Sequence, residues 1–298
     1  MKTTAKPFIR WAGGKSQLLT DIQEKYPLEL GKSVDKYCEP FIGGGAVLFD
    51  ILSKYQMSEI LISDTNRELI NAYVQVKTCV CDLVSELEVL QTSFWEKSKD
   101  EQKVFYCDRR KRFNLLVTDK SSGTNLEKAV LFIFLNKTCF NGLFRVNSKG
   151  LFNVPIGSRK KPAICDISNL MCVSHLLQKV TIECKDYKEC LPFVDCNTFV
   201  YIDPPYRPIS KTSSFTRYTN VPFGDKEQIE LKEFVDRLHL TGARILVSNS
   251  DPKNTDLCDN FFDELYCPYQ IERVFAKRSI NCFGDRRGEI SELLISNS

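Results

Sequence analysis

Metal-ligand spacing is missing from this chain. Thirteen cysteines are many for 298 residues, yet no two of them form a C-x-x-C pair. The nearest approach is Cys79–Val80–Cys81, in a stretch of helical periodicity. Histidine is scarce: only His175 and His239 occur, and neither stands in a ligand pattern. Structural zinc takes its ligands from Cys and His at short, repeated spacings, so no metal is expected. The opening MKTTAKPFIRW has no apolar core of the kind a secretory signal needs. The longest clean apolar run, AVLFIFL at 129–135, falls far short of the ~20 residues that cross a bilayer. No membrane partner is expected, and the thiols are expected to be reduced, in a cytoplasmic protein. A large excess of one charge is also absent. The 41 basic and 38 acidic residues leave a net charge of +3, so a surface for a polyanion has to be local.

What is present alternates between strand and helix. YCEPFIGGGAVLFDIL reads as a short strand, a glycine turn and a helix beginning near Ala46. EILISDTN is a second apolar strand, and RELINAYVQVKTCVCDLVSEL has apolar residues at helical spacing. Such alternation predicts a parallel sheet with crossover helices. From about residue 78 to 160 the chain becomes helical and charged. It ends in CFNGLFRVNSKGLFNVPIGSRKK, a predicted hairpin or loop near 136–157. The α/β pattern then resumes with KVTIECKDY, TFVYIDPPY, ARILVSNSD and a closing ISELLISN strand. The expected fold class is therefore α/β, with one domain built from 1–77 and 161–298 and a smaller, mainly helical module inserted at 78–160.

Three strand ends carry the chemistry. Gly43, Gly44 and Gly45 follow the first strand and permit a positive φ and close approach of a ligand. They are not a phosphate loop, because no Gly-Lys-Ser/Thr follows them. GGKS at 13–16 lacks the upstream glycine that such a loop requires. Asp64 ends the second strand about twenty residues later, where a carboxylate can take ribose hydroxyls. It could also cap the following helix, for which Asn66 is a second candidate, but the ligand role comes first because the glycine loop and this carboxylate agree in register. The third strand end is DPPY at 203–206. Two prolines interrupt an apolar strand, fixing φ and supplying no N–H. The carboxylate of Asp203 and the carbonyl of Pro204 are then adjacent acceptors beside the ring of Tyr206. That set suits the exocyclic amine of a planar base, which has to leave a duplex to be reached. The plainer alternative is a rigid turn with a capping Asp.

Six segments in order resemble the Dam-type (alpha-group) DNA adenine N6-methyltransferases, nearest to the modification methylases of the DpnII/MboI type. They are FIRWAGGKSQLL, YCEPFIGGGAVLFD, ISDTNRELINAY, FNGLFRVNSKGLFNVPIG, FVYIDPPYRP and RGEISELLISN. The resemblance covers nearly the whole chain. It implies a Rossmann-like catalytic domain that binds S-adenosylmethionine and an inserted target-recognition domain. The implied reaction is methyl transfer to adenine N6 in duplex DNA, at a short site such as GATC, with base flipping. It also implies one of two settings: a restriction-modification system, with a cognate endonuclease that acts on the same site without having to touch this protein, or a solitary Dam-like role. By the same resemblance Asp203, Pro204, Pro205 and Tyr206 are catalytic. Trp11, Ala12, Gly13, Lys15, Glu39, Phe41, Gly43, Gly45, Asp64, Asn66, Asp186, Tyr187 and Asp203 surround the cofactor. Arg10, Lys137, Phe140, Asn141, Leu143, Arg145, Asn147 and Pro155 face DNA. Arg10 stands where lysine is common in the family. Methylases of RNA or of protein amides usually carry Asn in place of Asp203 and lack the insertion.

Overall fold

The computed structural model describes residues 5–119, 123–208, 223–277 and 289–297. Seven strands form one sheet in the order β3-β2-β1-β4-β5-β7-β6. They are β1 (Lys36–Glu39), β2 (Glu59–Ser63), β3 (Val180–Glu183), β4 (Thr198–Ile202), β5 (Arg244–Ser250), β6 (Gln270–Lys277) and β7 (Glu289–Ser296). The first five run parallel. β7 inserts antiparallel between β5 and β6. The sheet is thus mixed, a correction to the parallel sheet expected from sequence. The strand order reverses between β1 and β4, and ligands of open α/β sheets bind at the carboxyl ends beside such a reversal.

Strand side chains alternate between faces, and both faces are covered. Tyr37, Ile60, Ile62, Phe199, Tyr201 and Leu246 belong to one buried cluster. Cys38, Leu61, Val200, Ile202, Ile245 and Val247 belong to another. Burial on both faces explains why β4 reads as an unbroken apolar run rather than an alternating one. The short α1 (Leu19–Gln23), α2 (Ala46–Lys54) and α3 (Arg67–Thr78) lie on the first face.

Between β2 and β3 the chain adds α4 (Val80–Trp95), α5 (Lys99–Thr118) and α6 (Asn125–Thr138), then returns through α7 (Ile167–Leu177). AVLFIFL is the middle of α6, and every residue from Ala129 to Leu135 is buried. The run is apolar because helices surround it, not because it spans lipid. Among the described residues no helix is long and apolar enough to cross a membrane. Phe94, Tyr106, Phe113 and Phe134 of the added helices join the same buried cluster as the sheet. The second face is closed by α8 (Asp225–Leu240) and α9 (Phe261–Leu265).

Candidate active site

β1, β2 and β4 deliver their last residues to one edge of the sheet. Beyond β1, Gly43 and Gly45 have φ of +45° and +71°. A Cβ on Gly43 would lie 2.7 Å from the Trp11 indole, and one on Gly45 would lie 2.6 Å from the Tyr73 hydroxyl. The loop is therefore glycine for both conformation and space. Trp11 lies directly against it and stacks on Phe144 at 5.9 Å. The Gly43 N–H points to Asp64 Oδ2 at 3.4 Å, and the Asn66 N–H to Asp64 Oδ1 at 2.9 Å. Asn66, not Asp64, caps α3, its Oδ1 accepting from the N–H groups of Glu68 and Leu69 at 3.1 Å each. That divides the roles left open by sequence: Asp64 joins the loop and Asn66 starts the helix. Burial raises the Asp64 carboxyl to about 6, against the pull of its backbone donors.

Glu39 ends β1 behind this loop, buried, and accepts from the Tyr37 hydroxyl at 2.7 Å. Burial raises its carboxyl well above the ordinary range, with Tyr37 opposing. Phe41 stacks on Tyr187 at 5.2 Å. Asp186 caps the 3-10 turn Tyr187–Phe193 through the Lys188 N–H at 3.0 Å, and the Glu189 carboxylate takes its own N–H in return. Asp186 thus has a structural task already.

The DPPY turn follows β4. Asp203 Oδ1 lies 2.7 Å from the Lys15 ammonium and accepts from the Ser248 hydroxyl at 3.0 Å. Ser248 in turn shares a hydrogen bond with the Tyr201 hydroxyl at 3.0 Å. The Asp203 side chain keeps 21% exposure, while that of Lys15 keeps 3%. The Pro205 carbonyl accepts from the Gln228 amide at 3.1 Å. No described residue donates to the Pro204 carbonyl. Lys15 also donates to the Tyr206 hydroxyl at 2.7 Å and to the Gly13 carbonyl at 2.9 Å. The Tyr206 hydroxyl donates to Glu292 Oε2 at 2.9 Å.

Burial acts to discharge Lys15, but Asp203, Tyr206, Tyr201 and Glu292 hold its ammonium well above the ordinary lysine value. Burial raises the Asp203 carboxyl, and Lys15 and Ser248 pull it back. Lys15, expected beside the cofactor, is thus found between the two ends of the tetrapeptide. Ala12 and Gly13 are exposed next to it. Ser248, Tyr201 and Glu292 were not singled out from sequence. Their only signal is polarity inside apolar strands, as in Glu292 of ISELLIS.

Most of the residues expected to face DNA lie on the segment that follows α6, whose buried side chains join the first core cluster. The Phe140 N–H binds the Pro155 carbonyl at 2.9 Å, and the Asn147 N–H binds the Leu151 carbonyl at 2.9 Å. These bonds close the predicted hairpin. α5 holds it from below: Tyr106 donates to the Val154 carbonyl at 2.8 Å, and Asn114 brackets Phe152. Phe140, at 50% exposure, and Asn141, at φ 55°, project from its base. Pro155 is exposed and Leu143 half-buried. The Arg145 guanidinium is steadied by Asn153 at 2.8 Å. Asn147 is spent on the turn, accepting from the N–H groups of Lys149 and Leu151. Arg10 is brought to this group by Asn136, which bonds its N–H and its carbonyl at 2.8 Å each. Burial lowers the Lys137 ammonium to about 8, assisted by Arg10. Burial and the nearby Arg159 lower Arg10 in the same way. Three cations therefore crowd one patch.

Comparison with known proteins gives the family. The family model for D12 class N6 adenine-specific DNA methyltransferases matches residues 11–280. A type II methyltransferase, M.MjaIII of Methanocaldococcus jannaschii, is 47% identical over 98% of this chain and 99% of its own length. M1.LlaDCHI of Lactococcus lactis subsp. cremoris is 34% identical over 99% and 96%. The DNA adenine methylase of Escherichia coli K12 is 32% identical over 97% and 94%. A match of that length, on a chain whose DPPY turn and glycine loop flank the strand reversal, places it in the family: the chain belongs to the D12 class and is an adenine-specific DNA methyltransferase.

Proposed function

We propose that this enzyme methylates the adenine of GATC in duplex DNA, flipping the base into the crevice between the glycine loop and the DPPY turn. Membership of the family implies S-adenosylmethionine as methyl donor, and the loop geometry fits it. The positive-φ glycines allow close approach, Trp11 walls the loop, and Asp64 offers oxygens to a ribose. When bound, the donor supplies an electrophilic sulfonium methyl. The protein's part is to place an amine in line with it. An adenine amine is a weak nucleophile because its lone pair is delocalised into the ring. Accepting its two N–H bonds at Asp203 and the Pro204 carbonyl favours a localised pair aimed away from both. The gain is positioning and preorganised electrostatics. The observation that carries this reading is the fixed Asp203 carboxylate: one oxygen is held by Lys15 and Ser248, leaving the other for substrate.

Residues 78–160 act as the target-recognition part, with the 136–157 hairpin entering the DNA. Phe140 and Asn141 stand near the vacated base position. Arg145 and Arg10 suit guanine, which arginine reads through two acceptors in the major groove. Lys137 and Arg159 serve as phosphate contacts. The type II relatives suggest a modification role beside an endonuclease of the same specificity. To test this, the purified enzyme is given methyl-labelled S-adenosylmethionine and plasmid from a host without adenine methylation. Label should enter the DNA, and the product should resist an endonuclease blocked by GATC adenine methylation. Label with full cleavage would move the target to another sequence, and no label would refute the reaction for this chain.

A further inference from the structure

We propose that Glu292 is a positioning residue for methyl transfer, fixing through Lys15 and Tyr206 the orientation in which Asp203 meets the target amine. The inference rests on the proposed function of the DPPY site and adds a group from the far end of the chain.

The prolines make the turn rigid but cannot join its two working ends. Lys15 does so, reaching Asp203 and the Tyr206 hydroxyl at 2.7 Å each. Its ammonium also lies 4.8 Å from the Tyr206 ring centre. An ammonium shared so closely could be drawn wholly to Asp203, turning the carboxylate and releasing the ring. Glu292 opposes this. Its Oε2 lies 3.5 Å from Lys15 and accepts from Tyr206 at 2.9 Å. One carboxylate thus holds both the bridge and the tyrosine.

The fold explains how a residue at 292 reaches this point. β7 pairs antiparallel with β5, and Glu292 stands opposite Ser250. Leu294, two residues on, packs in the cluster of the first sheet face, whereas Leu293 packs in that of the second. Alternation therefore sets Glu292 on the face of Leu294, at the strand end where Lys15 and Tyr206 meet. Its side chain is only 18% exposed. A partly buried carboxylate inside an apolar strand is costly unless paired, and here it is paired twice.

The ionisable and polar groups around Asp203 are Lys15 before α1, Glu39 on β1 with Tyr37 bonded to it, Tyr201 on β4, Tyr206, Ser248 on β5 and Glu292 on β7. Burial favours the neutral form of Glu39. The balance of charge is then one ammonium between two carboxylates. Removing the Glu292 charge leaves Lys15 to Asp203, which stays ionised to lower pH. Removing the Lys15 charge does the reverse.

Single-turnover methyl transfer to adenine-unmethylated plasmid DNA tests the role, with S-adenosylhomocysteine affinity and thermal unfolding measured beside it. Glu292→Ala should slow transfer on the order of a hundredfold, the scale of a misplaced reacting group, with cofactor-product affinity unchanged. Glu292→Gln keeps an oxygen for the Tyr206 hydroxyl but not the charge facing Lys15, and should restore part of the rate. Its acid limb should move to lower pH, while that of Lys15→Met moves to higher pH. Where Glu292→Ala does not fold, the acid limb of Glu292→Gln decides alone. The proposal is overturned by a wild-type rate in Glu292→Ala, by no rescue in Glu292→Gln, or by acid limbs that stay still or move together. A wild-type enzyme that labels no DNA overturns the proposed function itself, and this role with it.

Discussion

Asp64 is held between opposed forces. Its backbone donors, Asn66, Gly43 and Thr65, favour the carboxylate, and its burial favours the acid, with burial ahead at about 6 against an ordinary 3.8. Folding therefore favours the protonated form relative to the unfolded chain, although the group is ionised at pH 7. Whatever stability this group contributes is fully present below about 4 and lost as pH rises through 6. Cofactor binding has the opposite sign, because only the ionised group offers both oxygens to a ribose. Affinity for S-adenosylhomocysteine, measured by calorimetry, should weaken as pH falls from 7 through 6. Asp64→Asn should bind weakly throughout and lose that dependence. Asp203 behaves differently, because its charge partner is within the protein. Asp203→Ala should abolish labelling of DNA. Lys15 then still has Glu292, Tyr206 and the Gly13 carbonyl. The variant should fold, with a loss in denaturant unfolding of about 1–3 kcal/mol, below the full penalty of stranding a buried charge.

At the scale of elements, caps and turns decide where the functional groups begin. α3 starts at Asn66 because its side chain satisfies two of the helix's free N–H groups. Asn66→Ala should cost about 1 kcal/mol in chemical denaturation, and it should weaken the cofactor site by loosening the N–H that Asp64 accepts. The hairpin is the other case. Arg145 is oriented by Asn153, so Arg145→Ala should remove about 1–3 kcal/mol of discrimination at one base pair, read by competition between altered sites. Equal loss at every position would disprove that assignment. Elements with strong local signals were legible: the glycine turn, the Asp64 strand end, the DPPY break and the apolar α6. β6 was not, because QIERVFAK is an edge strand broken by charges, as edges often are. The antiparallel entry of β7 was hidden too, since a strand's sequence carries no mark of its direction.

The whole molecule resolves a tension present in the composition. A net charge of +3 is small for a DNA enzyme, and the fold answers it by concentration. Residues far apart in sequence, Arg10, Lys137 and Arg159, come close together: Arg159 helps burial to lower Arg10, and Arg10 helps burial to lower Lys137. No sequence pattern announces this: Asn136 has to tie the Arg10 backbone to α6 before the patch exists. Lys137, lowered from 10.5 to about 8, is charged below that pH and neutral above it. A phosphate set against it favours the charged form, so binding should take up a proton when pH is near 8. DNA affinity at fixed salt should fall as pH rises from 7 to 9, and Lys137→Ala should bind more weakly with that fall flattened. Salt gives an independent measure. Each phosphate contact contributes a slope of about −0.9 in log affinity against log salt, so Lys137→Ala should reduce the slope by about one. A pH dependence that survives in the variant would place the titrating group elsewhere. An unchanged salt slope would remove Lys137 from the DNA interface.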